Sequence, residues 1–376
     1  MNIPKKAYCM RSVSAILLLS ASAAAACPDY AVEAFLPADV CTGIDLSADE
    51  SLVYARHNFG EWDQGALIFD ATTYELLGEV CHLDDVPWVF LCAADDGSLW
   101  CQSYYGGLVR EVSSEDCSVL NEFDVGDWAA ALLFDDAKRH LYVNENHPGG
   151  AHNVQGSIQV IDTWTNQHVG GLTLNGQFSL MNRAPRDRYL YTVTSNPGTE
   201  TLYKIDTADP HNLSIAGTLD LSDLGGGEPF AVGISISPDF GTVYVPSPFT
   251  DEILVVDTET MTDVGRLSAG APHGFFVAPD GKHALVMHRN LPIVSVFDLE
   301  EENICDTIDV GAYSYADANV RPVWTADACT VYLPLKRTGD GVVVLKNWCR
   351  AADVNADDVI DTLDLLALLG HWGACP

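Results

Sequence analysis

A short apolar strand ending in aspartate recurs down this chain, and no other feature narrows the possible folds as much. The copies are Leu67-Ile68-Phe69-Asp70, Val160-Ile161-Asp162, Lys204-Ile205-Asp206, Val255-Val256-Asp257 and Val296-Phe297-Asp298. Successive aspartates lie 92, 44, 51 and 41 residues apart. The long interval holds two units, with Leu108-Val109-Arg110-Glu111 as a degenerate copy. Val342-Val343-Val344-Leu345 is a seventh copy that lacks the acid. A period of this length marks an array whose units bury their faces only against their neighbours.

The other parts of each unit repeat as well. A hairpin precedes the aspartate strand, as in the run from Phe276 to Leu285, whose Asp280-Gly281 suits a tight turn. Asp95-Asp96-Gly97 and Ser237-Pro238-Asp239-Phe240-Gly241 are equivalent turns. Tyr54, Tyr142, Tyr191, Tyr244 and Tyr332 mark the strand after the turn, and a fourth strand such as Asp263–Leu267 follows the aspartate. Four short strands per unit describe a propeller blade. The expected fold is therefore all-β, a seven-bladed β-propeller of four-stranded blades, with a stacked solenoid as the rival. Ala31–Leu36 has no blade of its own and is expected to complete the last one. An acid just past a strand accepts N–H bonds from the following turn, so the aspartates are read as turn formers. The tyrosines are read as blade packing.

Ile253 to Gly311 resembles bacterial propellers of the YVTN type, also seen in surface-layer and YncE-like proteins. Val255-Val256-Asp257-Thr258-Glu259-Thr260, Gly270-Ala271-Pro272-His273-Gly274 and Pro279-Asp280-Gly281-Lys282 carry the likeness in order. The resemblance implies seven blades over roughly residues 31 to 348. It implies no single activity, because this scaffold hosts binders and enzymes alike.

Residues 1–26 read as a signal peptide: Lys5, Lys6 and Arg11, then an apolar run from Val13 to Leu19, then small residues before Cys27. Cleavage before Cys27 is the first reading. Ala24-Ala25-Ala26-Cys27 also invites a lipoprotein reading, although the usual large aliphatic residue is missing. Removing the leader takes the formal charge from −34 to −37. Such a surface repels phosphate backbones and anionic lipids, so nucleic acid and membrane surfaces are poor partners, and no later segment is apolar enough to span a bilayer. Of 11 cysteines, Cys9 belongs to the leader. The even remainder in an exported chain favours disulfides. Cys92 with Cys101 across a hairpin, and Cys349 with Cys375 around the C-terminal segment, are the expected pairs.

The pattern changes after residues 27–348. In 349–376, Asp353, Asn355, Asp357, Asp361 and Asp364 stand at loop positions 1, 3, 5, 9 and 12, with the Val359 carbonyl at position 7. That spacing wraps a hard, oxygen-seeking cation, and Ca2+ is the expected cofactor. Leu363, Leu365, Leu366, Leu368, Leu369 and Trp372 then form an apolar helix. The segment resembles one repeat of a type I dockerin, with two departures: Asp358 replaces the usual glycine at position 6, and a second repeat is absent. Thr362 fits the cohesin-recognition positions and Leu363 does not.

Propeller geometry gathers the loops between second and third strands, and between blades, on one face. His57, Trp128, His147, His273, His288 and Arg289 are the candidate ligand-binding residues there. Asn58, Trp88, Asn290, Lys336 and Arg337 lie on the same loops. Aromatics, histidines and a few cations suit a small polar ligand or a glycan. No Gly-x-Ser-x-Gly elbow, His-Glu-x-x-His pair or phosphate loop occurs. The expected function is a non-enzymatic, exported recognition scaffold, monomeric, anchored or stabilised by its calcium tail. Its partner is expected to be a surface protein, a glycan or a cohesin-like module. The alternatives are an extracellular carbohydrate-active hydrolase or lyase, and a redox propeller resembling amine dehydrogenase subunits.

Overall fold

The computed structural model describes residues 27–38, 41, 43–59, 63–80, 88–94, 96–103, 107–116, 118–125, 129–135, 138–147, 155–182, 188–195, 200–224, 233–289, 291–311, 321–335 and 341–347. The leader and the whole of 348–376 lie outside this set, including the calcium loop, its helix and the Cys349–Cys375 pair.

The described residues form seven antiparallel sheets of four strands. From inner to outer strand, blade 1 is Gly43–Leu46, Leu52–Phe59, Asp63–Asp70 and Leu76–Val80. Blade 2 is Trp88–Ala93, Ser98–Ser103, Leu108–Ser113 and Val119–Asp124, and blade 3 is Ala129–Asp135, His140–His147, Gln155–Asp162 and Gln167–Asn175. Blade 4 is Gln177–Asn182, Tyr189–Ser195, Thr201–Asp206 and Ser214–Asp220, and blade 5 is Ser235–Ile236, Thr242–Ser247, Glu252–Asp257 and Thr262–Ser268. Blade 6 is Pro272–Val277, His283–His288, Ile293–Asp298 and Asn303–Asp309. Blade 7 takes Val323–Trp324, Thr330–Pro334 and Val342–Asn347 from the C-terminal end and Tyr30–Leu36 from the N-terminal end. The N-terminal strand thus closes the ring, as its lack of a blade requires.

The core is divided among the interfaces between blades, and each marker residue faces the next blade. Tyr54 packs on Leu99 and Val112 of blade 2, and Trp100 on Leu141 and Val143 of blade 3. Tyr142 meets Leu190 and Ile205, Tyr191 meets Val243 and Val256, and Tyr244 lies 5.1 Å from the Phe275 ring. Leu285 meets Val331 and Val343, and Tyr332 returns to Val53 and Phe69 of blade 1. A lone blade would leave both faces wet; closing the ring buries every one.

The turn acids behave as caps. Asp70 Oδ1 accepts the Thr72 and Thr73 amides, Asp162 those of Trp164 and Thr165, and Asp298 those of Glu300 and Glu301. These N–H donors stabilise the ionised form and hold the Asp70 and Asp162 carboxyls below the ordinary carboxylate range. A second set caps the turns between first and second strands: Asp49, Asp96, Asp239, Asp280 and Asp327 each accept the amide two residues on. One residue in each of those turns adopts positive φ: Gly97 in blade 2 and Gly281 in blade 6, but Glu50, Phe240 and Ala328 in blades 1, 5 and 7; Arg139 does the same in the corresponding turn of blade 3.

The expected facing of Cys92 and Cys101 is corrected by the register. Register pairs Cys92 with Trp100 and Cys101 with Leu91. The expected partners are therefore one step out of register across the blade 2 hairpin, and the Cys92 side chain lies outside the described residues. Among the described residues a disulfide joins Cys27 to Cys305, 278 residues apart. Cys305 is the extra residue of a bulge in the outer strand of blade 6, where Val296 pairs with Asp306 and Phe297 with Ile304. Cys27 stands just ahead of the ring-closing strand, so the bond ties blade 7 to blade 6 at the rim.

Candidate functional site

Backbone hydrogen bonds identify the face that gathers the loops. Ala269 N donates to Asp251 O, Arg289 N to Ala271 O, Val310 N to Pro292 O and Leu221 N to Glu200 O. Each joins a link between blades to a loop between second and third strands. That end is the upper face. On the lower face the turns after third strands bond to turns after first strands: Thr163 N to Arg139 O, Thr258 N to Gly241 O and Leu299 N to Lys282 O.

The described candidates fall on several sectors of the upper half. His57 pairs with Gly65 in blade 1 and His147 with Gln155 in blade 3; their backbones are described and their side chains are not. The same holds for Asn58 and Trp88, whereas Trp128, Asn290, Lys336 and Arg337 lie outside the described residues. Blade 6 brings His273, His288 and Arg289 together. Arg289 is exposed, with its guanidinium 5.4 Å from the centre of the Phe249 ring.

His288 is committed to its blade. It is buried, and its Nδ1 is bonded to the Gly270 carbonyl while Nε2 lies 2.8 Å from Ser295 Oγ. A carbonyl only accepts, so Nδ1 carries the proton and Nε2 accepts from the serine hydroxyl. Burial pushes the imidazole below its ordinary pKa, against the opposing effect of the Gly270 bond, and the ring is neutral. His288 therefore laces three strands of blade 6 together, since Ser295 in turn meets Thr307. His273 sits at the bulge between Pro272 and Gly274 and is half-buried. Its carbonyl accepts the Gly233 amide at 3.1 Å, and Phe275 N returns a bond to Gly233 O. The inner strands of blades 5 and 6 approach so closely there that a Cβ on Gly233 or Gly274 would fall 2.4 or 2.5 Å from the Phe276 ring.

Three residues of interest escaped the sequence reading. Two positions after Tyr54, Trp100 and Tyr142 stand Arg56, Gln102 and Asn144, all buried. The same position holds Val193, Pro246, Met287 and Pro334 in blades 4 to 7. Alternation places each on the face of its marker residue, so polar groups fill three successive interfaces, from blades 1/2 to 3/4, beneath the upper face. Burial lowers Arg56 to about 10, opposed by the neighbouring Cys41 and Cys101 thiols, and the guanidinium stays charged at neutral pH. Cys41 is pushed up to about 12 by burial, which makes it an inert thiol rather than a nucleophile. Gln102 is 0% exposed, and among the described residues neither its amide oxygen nor its nitrogen meets a hydrogen-bond partner. Aligning the units on the tyrosine would have exposed this half-ring of polarity, because ordinary blade packing demands an apolar residue there.

Among the described residues no three His, Cys, Asp or Glu side chains gather into a metal cage. No protein-family model matches the chain. It is similar to the YncE proteins of Salmonella typhi and Salmonella typhimurium, both uncharacterized, at 25% identity over 308 residues in each case. The match covers 77% of this chain and 80% of each relative. A propeller of the YncE type is thus supported by strand order and by sequence together.

Proposed function

We propose that this chain is an exported recognition protein whose propeller receives a polar ligand, a glycan or a polar surface of a partner protein, on the blade 1 to 3 side of its upper face. The observation that carries this reading is the one-sided run of Arg56, Gln102 and Asn144 in a ring that is apolar at the equivalent places elsewhere. A buried amide with unmet donors and acceptors costs stability unless a ligand, a bridging water or a rearranged loop uses it. Export is supported by the leader and by the Cys27–Cys305 bond, which suits an oxidising compartment. The same bond occupies the sulfur that a lipid thioether would require, which favours release over lipid anchoring.

Binding of neutral and acidic oligosaccharides to the full chain, measured by calorimetry, tests the mouth. Gln102→Leu and Arg56→Met are expected to weaken any bound sugar about tenfold, the effect of losing roughly 1.4 kcal/mol. Equal affinity in both variants would move the site off blades 1 to 3. Turnover of a sugar would favour the hydrolase or lyase reading instead.

The tail supplies the second part of the proposal. Asp353, Asn355, Asp357, Asp361 and Asp364, with the Val359 carbonyl, carry the ligand spacing of a calcium loop. Calcium titration is expected to show one site in the native chain and none after Asp353→Ala with Asp364→Ala. Unchanged binding would remove the loop assignment and leave the propeller reading intact.

A further inference from the structure

Outside the mouth, the unexplained surface is the lower outer rim of blades 1 and 2. Leu76 and Leu77 open the outer strand of blade 1, and Val119 and Leu120 open that of blade 2; all four are between 46% and 57% exposed. On the outer strands of blades 4, 5 and 6 the large exposed apolar residues come singly, as Ile215, Val264 and Ile304. Single exposed aliphatics are ordinary, whereas an exposed aliphatic pair opening each of two successive outer strands calls for a cover.

The bulges sharpen the contrast. Every outer strand carries one extra residue at the same level, Leu77 in blade 1 and Leu120 in blade 2. In blades 3 and 4 the following blade covers this place. His211 Nδ1 lies 3.1 Å from Val169 O, a Cβ on Gly170 would meet Pro210 O, and a Cβ on Gly217 would meet Met261. Among the described residues a Cβ on Gly78 meets nothing within 4 Å, and one on Gly265 of blade 5 meets only Val255 of its own blade at 4.0 Å. The blade 1 bulge is open among the described residues, and it alone of these two carries an exposed leucine pair.

The position of the chain's end indicates the occupant. The last described strand finishes at Asn347 on the lower face, where its amide donates to Cys329 O. Blade 7 is joined to the underside of blade 1 at that level: Tyr332 Oη donates to Ala71 O at 3.1 Å and Ala326 N to Glu50 Oε1 at 2.6 Å. Ala71 belongs to the turn that leads into Leu76. The tail therefore departs one blade from the patch and at the same end of the ring. The stretch from Asn347 to Leu363 reaches roughly 50 Å when extended. It is followed by six large apolar side chains that need a cover: Leu363, Leu365, Leu366, Leu368, Leu369 and Trp372.

We infer that the segment from Leu363 to Trp372 folds back onto the lower outer rim of blades 1 and 2, seated on Leu76, Leu77, Val119 and Leu120. The calcium loop then becomes an appendage held at the rim, on the opposite side of the ring from the mouth. This docking does not depend on what the mouth binds.

The test uses the full chain with p-benzoylphenylalanine in place of Leu77. Irradiation at low micromolar concentration is expected to link that position to the 363–372 peptide of the same molecule, read by mass spectrometry. Leu368→Asp with Leu369→Asp is expected to abolish the link and to speed amide exchange across 76–80 and 119–124. Links between two molecules would assign the rim to a second copy and overturn the inference. So would the absence of any link to the tail, or exchange that the double variant leaves unchanged.

Discussion

Replacing Gly341 with alanine is expected to cost the ring about 3 kcal/mol or more, read as a lowered urea midpoint with an unchanged slope. Gly341 immediately precedes the third strand of blade 7, and its carbonyl accepts the Leu335 amide. A Cβ there would lie 1.6 Å from Ala38 O, 2.2 Å from Ala38 C and 2.5 Å from Ala38 Cα. These are backbone atoms, so no rotamer change relieves the overlap. Ala38 is fully buried in the interface between blades 7 and 1, just after the strand that closes the ring. Relief requires the closing strand's exit to lift away from blade 1, which opens that interface. Gly78→Ala is the control: among the described residues nothing lies within 4 Å of its Cβ, and its expected effect is within about 1 kcal/mol. Equal midpoints for the two variants would show that the crossing at Ala38 yields without cost.

The second large effect concerns the Cys27–Cys305 bond. Its removal, as Cys27→Ser with Cys305→Ser, is expected to lower the unfolding free energy by about 2–5 kcal/mol. The bond spans 278 residues, so in the unfolded chain it closes most of the propeller into one loop and removes much of that ensemble's entropy. In the native state it backs up a closure otherwise made by side-by-side pairing of Tyr30–Leu36 with Val342–Asn347. The loss should appear in the oxidised native protein on mild reduction and be absent from the double serine variant. A native protein indifferent to reductant would mean that strand pairing and the blade 6/7 core suffice to hold the ring shut.

How much of the site was legible differs from residue to residue. The turn aspartates were readable as caps because an acid after a strand has a local use that needs no knowledge of the rest of the fold. His288 looked like a ligand-facing histidine in sequence, yet its two nitrogens are satisfied by Gly270, 18 residues back, and by Ser295 on the next strand. Whether a strand-end histidine serves a mouth or a scaffold is settled by register and bulge, which pattern alone does not specify. Arg56, Gln102 and Asn144 were present in the repeat but had no local signature. Their meaning comes from comparison with the apolar residues that equivalent interfaces require.

The repeat determined the strand number, the blade count, the closure by the N-terminal strand and the inter-blade role of the tyrosines, because period-two alternation and turn chemistry act over a few residues. Tertiary structure alone decided the Cys27–Cys305 pairing, the offset register of Cys92 and Cys101 and the lower-face departure of the tail. Those depend on which distant segments become neighbours when the ring shuts, and on single-residue bulges that turn a side chain from one face to the other.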